Sequence, residues 1–344
     1  MGARAIVVGA LTAALACSTP AGVPDVPDVA DAGRVVWPLA SGLPTPNAIA
    51  VTTSVYWTNA DGRLMKCARG GCREPTMVAF GQYRSGAIAV DATNLYWTRA
   101  YIDGPVTIDG AVMMSAVSGG APWLLAAGQD GPVKIAVDAT SVYWTNSGQT
   151  IFQPGKSLGS VVKCAIGGCS GIPTVLAAGQ PYPGDIVVDA TRVYWTDYRS
   201  GSVLSCAVGG CGGSPTLLAS GQTPGGIAVD ATHVYWTNYG TFNQADGSVV
   251  KCATDGCGGT PTVLAAGQAG PNTIAVDASS VYWTNADDGT LVKCPLGGCD
   301  GAPLPLASVH IDARPNALAV DATSVYWTES VPNGVGSVRK VTPK

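Results

Sequence analysis

The chain has 344 residues, of which 47% are hydrophobic and only 12% are charged, and its formal net charge is −4. This composition excludes a disordered chain and a coiled coil, and the lack of a basic balance leads us to expect no nucleic-acid partner. The sequence holds only two His and two Glu, which disfavours any catalytic or metal site that requires several His or several Glu side chains.

The first 16 residues have the pattern of a signal peptide, because Arg4 precedes a mainly apolar stretch that runs from Ala5 to Ala16. That stretch is too short to span a bilayer as a helix and suits the hydrophobic region of an export signal. Two processing routes fit the sequence that follows. Ordinary cleavage after Ala16 is one, and the other is lipidation of Cys17, since Ala14-Leu15-Ala16-Cys17 resembles a bacterial lipobox.

The cysteine count favours lipidation, because ten of the 11 Cys form five equally spaced pairs and Cys17 alone is left over. Residues 17–33 would then be the lipidated Cys and a tether rich in Pro and Asp, extended by self-repulsion. Ser18 resembles a sorting signal for the bacterial outer membrane. We therefore expect an exported, membrane-anchored lipoprotein.

The rest of the chain is a repeat whose signature is Tyr-Trp-Thr. Each unit holds four short β-rich runs separated by turn residues, as in Ile227-Ala-Val, Val234-Tyr-Trp-Thr, Gly247-Ser-Val-Val-Lys-Cys and Thr262-Val-Leu-Ala. Four strands in about 45 residues are typical of a propeller blade. The motif occurs seven times, with its Tyr at positions 56, 96, 143, 194, 235, 282 and 326.

The two ends of the repeat region predict how the ring closes. The last unit stops after its third run, 336–341, and an unassigned stretch at 35–42 matches the pattern of a fourth strand. We therefore predict an all-β fold over residues 34–342: a seven-bladed β-propeller of four-stranded antiparallel blades, closed by the N-terminal strand completing the last blade. We expect it to be a monomer.

The repeats resemble the Tyr-Trp-Thr-Asp repeats of the low-density lipoprotein receptor propellers and the Tyr-Trp-Thr-Asn repeats of secreted bacterial lipoproteins. The resemblance covers residues 34–342 and implies the propeller fold. The position after Thr is Asp only at Asp197, and it is Asn, Arg or Glu in the other repeats. The resemblance therefore implies no ligand.

Each Cys pair has four residues between its members and lies at the turn between the third and fourth strands of a unit. An exported location permits disulfides there, and a metal site is disfavoured because the pairs lie on different blades. The second unit lacks both partners and has Ser115 at the matching place. The predicted disulfides are Cys67–Cys72, Cys164–Cys169, Cys206–Cys211, Cys252–Cys257 and Cys294–Cys299.

If the first strand of each unit is innermost, the Asp-Ala-Thr turns and the Cys hairpins lie on one face, which we call the constant face. The loops after Tyr-Trp-Thr and the Gly-Gln connections lie on the other, the variable-loop face. Length variation carried by rigid strands is typical of a binding surface, and the alternative is solvated loop tips without a partner. Our hypothesis is a non-enzymatic protein that binds a protein or glycan partner through Arg99, Tyr101, Phe152, Asp197, Tyr198, Arg199, Tyr239 and Phe242.

A second set of polar residues precedes the innermost strands and is expected at the mouth of the central channel: Asn47, Lys134, Asp185, Asn272 and Asn316. Hydration and turn capping explain such residues, and a divalent-cation site is the functional alternative. That alternative predicts a metal-dependent hydrolase or lyase similar to propeller lactonases, and we expect no other cofactor. A purely structural envelope component that binds nothing is a third interpretation.

Overall fold

The structure, a computed structural model, describes residues 28–30, 34–82, 85–103, 107–148, 158–308, 313–331 and 334–344, with the backbone alone at 28–30, 85, 100–103 and 107–109. In this part of the chain there are 29 strands, numbered here in chain order. No helix among these residues is long and apolar enough to cross a bilayer. The predicted signal peptide, Cys17 and the tether up to residue 27 lie outside the described residues.

Six of the seven sheets have four antiparallel strands taken consecutively from the chain. Blade 1 is β3 (Pro46–Val51), β4 (Ser54–Asn59), β5 (Leu64–Ala68) and β6 (Thr76–Ala79), and blade 2 is β7 (Ser85–Val90), β8 (Asn94–Asp103), β9 (Thr107–Ala116) and β10 (Trp123–Gln129). Blade 3 is β11 (Pro132–Val137), β12 (Ser141–Asn146), β13 (Gly159–Ala165) and β14 (Thr174–Gln180), and blade 4 is β15 (Pro183–Val188), β16 (Arg192–Asp197), β17 (Ser202–Ala207) and β18 (Thr216–Ala219). Blade 5 is β19 (Pro224–Val229), β20 (His233–Asn238), β21 (Gly247–Ala253) and β22 (Thr262–Gln268), and blade 6 is β23 (Pro271–Val276), β24 (Ser280–Asn285), β25 (Thr290–Pro295) and β26 (Leu304–Ser308).

The seventh sheet joins the two ends of the chain. It contains β27 (Arg314–Val320), β28 (Val325–Ser330), β29 (Val335–Thr342) and the N-terminal strand β2 (Arg34–Pro44). Val36 pairs with Val341 and Pro44 with Val335. The predicted ring closure is therefore confirmed, as is the seven-bladed all-β fold.

Blade 7 has one strand more than the sequence predicted. β1 (Asp28–Ala30) pairs antiparallel with the outer edge of β2, Asp28 opposite Val36, so this sheet has five strands. An outer edge offers unpaired backbone groups, and the end of the Pro/Asp-rich segment uses them. Residues 28–30, which the sequence predicted to be part of the tether, therefore extend the sheet of blade 7.

The hydrophobic core consists of seven clusters, one between each pair of neighbouring blades. Each cluster packs the motif Tyr of one blade against the motif Trp of the next, as Tyr143 of blade 3 packs near Trp195 of blade 4. The cluster of Tyr326 and Trp57 joins blade 7 to blade 1. The seven motif Trp are 0–1% exposed, and an indole is too large for one sheet to cover. Stacking the blades in a closed ring covers both faces of every sheet.

The Thr of the motif links neighbouring blades by hydrogen bonds near the channel. The Thr145 hydroxyl accepts from the Lys134 backbone N–H of its own blade and donates to the Gly184 carbonyl of the next, at 2.8 Å. Thr328 of blade 7 donates in the same way to the Asn47 carbonyl of blade 1, at 2.7 Å. The ring is thus closed by hydrogen bonds as well as by packing.

The turns of the constant face are held by aspartate in six blades. Asp138 Oδ1 accepts the backbone N–H groups of Thr140 and Ser141, and Oδ2 accepts the Tyr143 hydroxyl at 2.7 Å. Burial works to raise the pKa of Asp138, but these hydrogen bonds outweigh it, so the pKa lies below its usual value. Each such Asp therefore fixes its turn and the buried Tyr of its own blade. The equivalent residues are Asp91, Asp189, Asp230, Asp277 and Asp321.

All five predicted disulfides are present, with Cα–Cα distances of 5.3 to 5.6 Å. Each lies in a hairpin of the constant face and faces the preceding blade, as Cys211 Sγ is 3.3 Å from the Leu176 carbonyl oxygen of blade 3. In blade 2, Ser115 is fully buried at the place of the first Cys. Multiple disulfides indicate an extracytoplasmic location.

Candidate binding surface on the variable-loop face

The strand order places the predicted loops on the variable-loop face, and their lengths differ from blade to blade. In blade 1 the connection after β4 spans residues 60–63, whereas in blade 5 residues 239–246 connect β20 to β21. In blade 2 the strands themselves extend outward, because β8 and β9 remain paired as far as Asp103 and Thr107. The connections on the variable-loop face therefore differ in length and structure from blade to blade.

Blades 4 and 5 present exposed and half-buried aromatic side chains on this face. Tyr198 is 66% exposed and its ring meets Tyr182 edge-on, with centroids 6.5 Å apart. The backbone N–H of Tyr198 donates to the Tyr182 carbonyl at 3.0 Å, which joins the two loops. Phe242, in the neighbouring loop, is 57% exposed. We call Tyr182, Tyr198, Tyr239 and Phe242 the aromatic platform.

Asp197, predicted to be a surface anchor, is instead fully buried beneath the platform. Its Oδ2 accepts the Tyr182 backbone N–H at 3.0 Å, and its Oδ1 accepts the backbone N–H and the hydroxyl of Ser200 at 2.9 Å. The prediction is wrong for this residue because its carboxylate is committed to shaping the loop. It positions Tyr182 and Tyr198.

Tyr239 has a comparable positioning contact. Its hydroxyl donates to Asp287 Oδ1 of blade 6 at 2.7 Å, and Asp287 Oδ2 accepts the Asn243 backbone N–H at 2.9 Å. Burial and the bond to Asp287 raise the pKa of Tyr239 to about 12, so this phenol stays protonated. Asp287 therefore holds both the half-buried Tyr239 and the loop that displays Phe242.

The other predicted binding residues are spread more widely. Arg199 is exposed beside Tyr198, whereas Arg99 is half-buried in β8 with its Nε enclosed by protein. Tyr101 lies in the projecting part of β8, where only the backbone is described, and Phe152 lies outside the described residues. The sequence interpretation missed Tyr182 and Asp287. Tyr182 stands in a Gln-x-x-Pro connection where other blades have small or charged residues, and that difference was the available signal.

The five channel-mouth residues do not form one ring of equivalent positions. Lys134 and Asp185 directly precede the Ile of their strands, whereas Asn47, Asn272 and Asn316 stand one residue earlier. Asp185 accepts its own strand's Ile186 N–H and, at 3.0 Å, the N–H of Ile227 in blade 5. Side-chain amides bridge blades as well, with Asn316 donating to the Pro46 carbonyl and Asn47 to the Gly86 carbonyl.

Through these contacts Asn47, Asp185 and Asn316 each connect their own blade to a neighbouring blade. Within the described ranges, no three or more His, Cys, Asp or Glu come together as a group that could hold a metal ion. A cleft of about 620 Å³ opens on the constant face between the turns of blades 2 and 3. Its two carboxylates, Asp91 and Asp138, are the turn-capping groups described above.

The fold is shared with solved propellers of several functions. Virginiamycin B lyase from Staphylococcus aureus has a TM-score of 0.67 at 12% identity, covering 90% of this chain and 98% of that one. A chain of the nidogen/laminin complex has a TM-score of 0.51 at 19% identity, covering 75% and 91%. The PQQ-bound aldose sugar dehydrogenase from Streptomyces coelicolor has a TM-score of 0.52 at 14% identity, covering 92% and 99%.

At these identities the likeness shows the fold alone, a seven-bladed propeller similar to that of nidogen and of the lyase. The fold serves both binding proteins and enzymes. No protein-family profile matches the sequence, and no curated protein matches it.

Proposed function

We propose that this protein is a non-enzymatic lipoprotein of the cell envelope, in the bacterial outer membrane, that binds a protein or glycan partner through the aromatic platform. The observation that supports the binding role is that the exposed rings of blades 4 and 5 stand on loops held by hydrogen bonds. Tyr198 and Phe242 are more than half exposed, yet two buried or half-buried carboxylates fix the loops that carry them. Aromatic anchors that lose little freedom on binding are typical of interface centres.

The binding test compares the wild-type protein with a Tyr198→Ala, Phe242→Ala double variant. Both proteins are immobilised, exposed to solubilised envelope of the producing cell, and assayed for retained proteins and glycans. We expect the double variant to lose the retained partner while its melting temperature is unchanged, because neither ring is buried. Trp123→Ala is the matched control, since Trp123 is 47% exposed but lies on the outer strand of blade 2. Retention by the double variant equal to wild type would contradict the proposal.

The lipid anchor is tested separately. Cells that express the protein are grown with a labelled fatty acid, and label in the wild-type protein is compared with label in a Cys17→Ser variant. Label only in the wild type supports the anchor. Equal absence of label, with release of the protein into the medium, would favour ordinary cleavage after Ala16.

The metal-dependent hydrolase or lyase at the channel mouth stays a prediction. Virginiamycin B lyase has also been solved as a catalytically inactive histidine-to-alanine variant with quinupristin, so a histidine matters in that protein. In this chain His233 lies at a turn of the constant face, away from the predicted mouth, and its Nδ1 is 2.8 Å from the Thr232 hydroxyl. Metal analysis of the wild-type protein against Asp185→Ala tests the alternative.

A further inference from the structure

The charges of the propeller are divided between two sides of the ring. Residues 34–82 and 314–344, which form blades 7 and 1, hold nine Lys and Arg against four Asp and Glu, a formal net charge of +5. Residues 183–308, which form blades 4 to 6, hold four Lys and Arg against ten Asp, a formal net charge of −6. The modest charge of the whole chain therefore conceals a strong separation of charge across the ring.

The positive side has an apolar edge where blades 7 and 1 meet. Trp37 on β2 is 45% exposed and pairs with Lys340, which in turn pairs with the core residue Tyr326. Met77 on β6 is 54% exposed and pairs with Met65, the neighbour of the core residue Trp57. Since Tyr326 and Trp57 face each other across this joint, Trp37 and Met77 flank its outer end.

Two arginines lie in the connection between β5 and β6, Arg69 within the Cys67–Cys72 loop and Arg73 directly after it. The Lys340 ammonium donates to the Arg69 carbonyl at 3.0 Å, which places the hairpin against blade 7. Arg69 is half exposed and also contacts Asp321, whereas Arg73 is exposed. Guanidinium groups beside an exposed Trp are the composition that proteins use at the headgroup region of a bilayer. We define the basic edge as Trp37, Arg69, Arg73 and Met77.

We propose that the basic edge docks on the anionic surface of a lipid bilayer. Charge complementarity supports this occupant, since the anionic side of the ring would then point away from the membrane. The path of the chain supports it too, because β1 runs along the outer edge of β2 with Asp28 opposite Val36, so the first residue of β1 lies next to Trp37. Docking there leaves the aromatic platform, on blades 4 and 5, free for a partner.

The joint between blades 2 and 3 offers a control within the same chain. Trp123 occupies the register position of Trp37 at the joint between blades 2 and 3, and it is 47% exposed. The hairpin of that joint has Ile166 and Ser170 in place of Arg69 and Arg73. The two joints therefore share an exposed Trp and differ in these two arginines and in Lys340, whose place is taken by Met114 beside Trp123.

The first test measures binding of the full chain carrying Cys17→Ser to vesicles of phosphatidylcholine, with and without phosphatidylglycerol. All variants share the same N-terminal residues, so differences between them report on the propeller. We expect binding that requires phosphatidylglycerol, a loss of about fivefold with Arg73→Ser, a further loss with Trp37→Ser, and none with Trp123→Ser. Equal binding by all variants would overturn the proposal, and so would binding to soluble dextran sulfate without binding to vesicles.

The second test locates the contact by fluorescence. The seven motif Trp are buried, so acrylamide quenching reports on Trp37 and Trp123. Anionic vesicles should protect a Trp123→Phe variant, in which Trp37 remains, and should not protect a Trp37→Phe variant. The reverse pattern, or equal protection, would overturn the assignment of this edge. Neither test changes a residue of the aromatic platform. Failure of the membrane-docking proposal is therefore distinguishable from failure of the proposed function.

Discussion

The two faces of the ring both use aspartates that accept backbone hydrogen bonds to hold their turns and loops, but the two faces display different side chains. On the constant face, Asp138 caps a turn whose tip is Ala and Thr, and the pattern recurs in six blades. On the variable-loop face, Asp197 and Asp287 cap loops whose tips are Tyr198 and Phe242. The same kind of aspartate-held turn therefore builds a repeated scaffold on the constant face and fixes the loops that carry exposed aromatic rings on the variable-loop face.

The largest expected effect is on the free energy of unfolding. It distinguishes the buried Trp195 from the exposed Tyr198, three residues further along the chain. Trp195→Ala removes an indole that is fully buried between blades 3 and 4, and we expect a loss of about 3–5 kcal/mol in the free energy of unfolding. Tyr198→Ala removes a ring that is 66% exposed and should change it by less than about 0.5 kcal/mol. Denaturant unfolding measures both, and similar losses would show that Tyr198 belongs to the scaffold.

The next effect concerns the disulfides of the constant face. Replacing both Cys206 and Cys211 by Ala removes a small covalent loop, and the chain-entropy estimate gives a loss of about 2 kcal/mol. Capture of a partner by the platform should not change, because the hairpin lies on the opposite face. Thermal unfolding and the retention assay are measured on the same variant. A variant that stays stable but loses capture would show that the two faces are not independent.

Repeated features of the fold follow from the sequence, whereas single contacts do not. Seven Tyr-Trp-Thr motifs and the stretch at 35–42 are enough to predict blade number and closure, because each pattern recurs or completes another. The role of Asp197 could not be read, because a carboxylate after Tyr-Trp-Thr looks the same whether it faces solvent or folds back onto Ser200. The pairing of β1 was equally hidden, because an edge strand needs no hydrophobic alternation.

A smaller effect comes from the Gln that precedes most inner strands. Gln129 Oε1 accepts the buried indole N–H of Trp144 at 3.0 Å, whereas the matching residue before blade 1 is Leu43, and the Trp57 Nε1 there has no hydrogen-bond partner. Gln129→Leu should cost about 1–3 kcal/mol by leaving a buried donor unpaired. Leu43→Gln should raise stability by about 1 kcal/mol. Chemical denaturation of both variants checks the pair, and a loss from Leu43→Gln would mean that its packing outweighs the missing hydrogen bond.

The smallest effect is the contribution of the constant-face turns to the dependence of stability on pH. Hydrogen bonds from Tyr235, Thr232 and His233 outweigh burial and lower the pKa of Asp230 from its usual value of 3.8, and the equivalent Asp residues behave alike. A lowered native pKa stabilises the fold above the unfolded value and is lost as the pH falls through the native one, so stability should decline below about pH 4. Asp230→Asn should make that decline shallower, whereas Asp300→Asn, at an exposed hairpin residue, should leave it unchanged.

The same turns set the alkaline limit, with the opposite sign. Burial and the bond to Asp138 raise the pKa of Tyr143 to about 12, so its contribution is complete below the unfolded value near 10 and is lost as the pH rises through the native one. Tyr143→Phe removes the titrating hydroxyl and should flatten this limb while leaving Asp138 without one of its donors. Stability measured against pH in both directions therefore distinguishes a turn held by the Asp–Tyr pair from one held by the backbone alone.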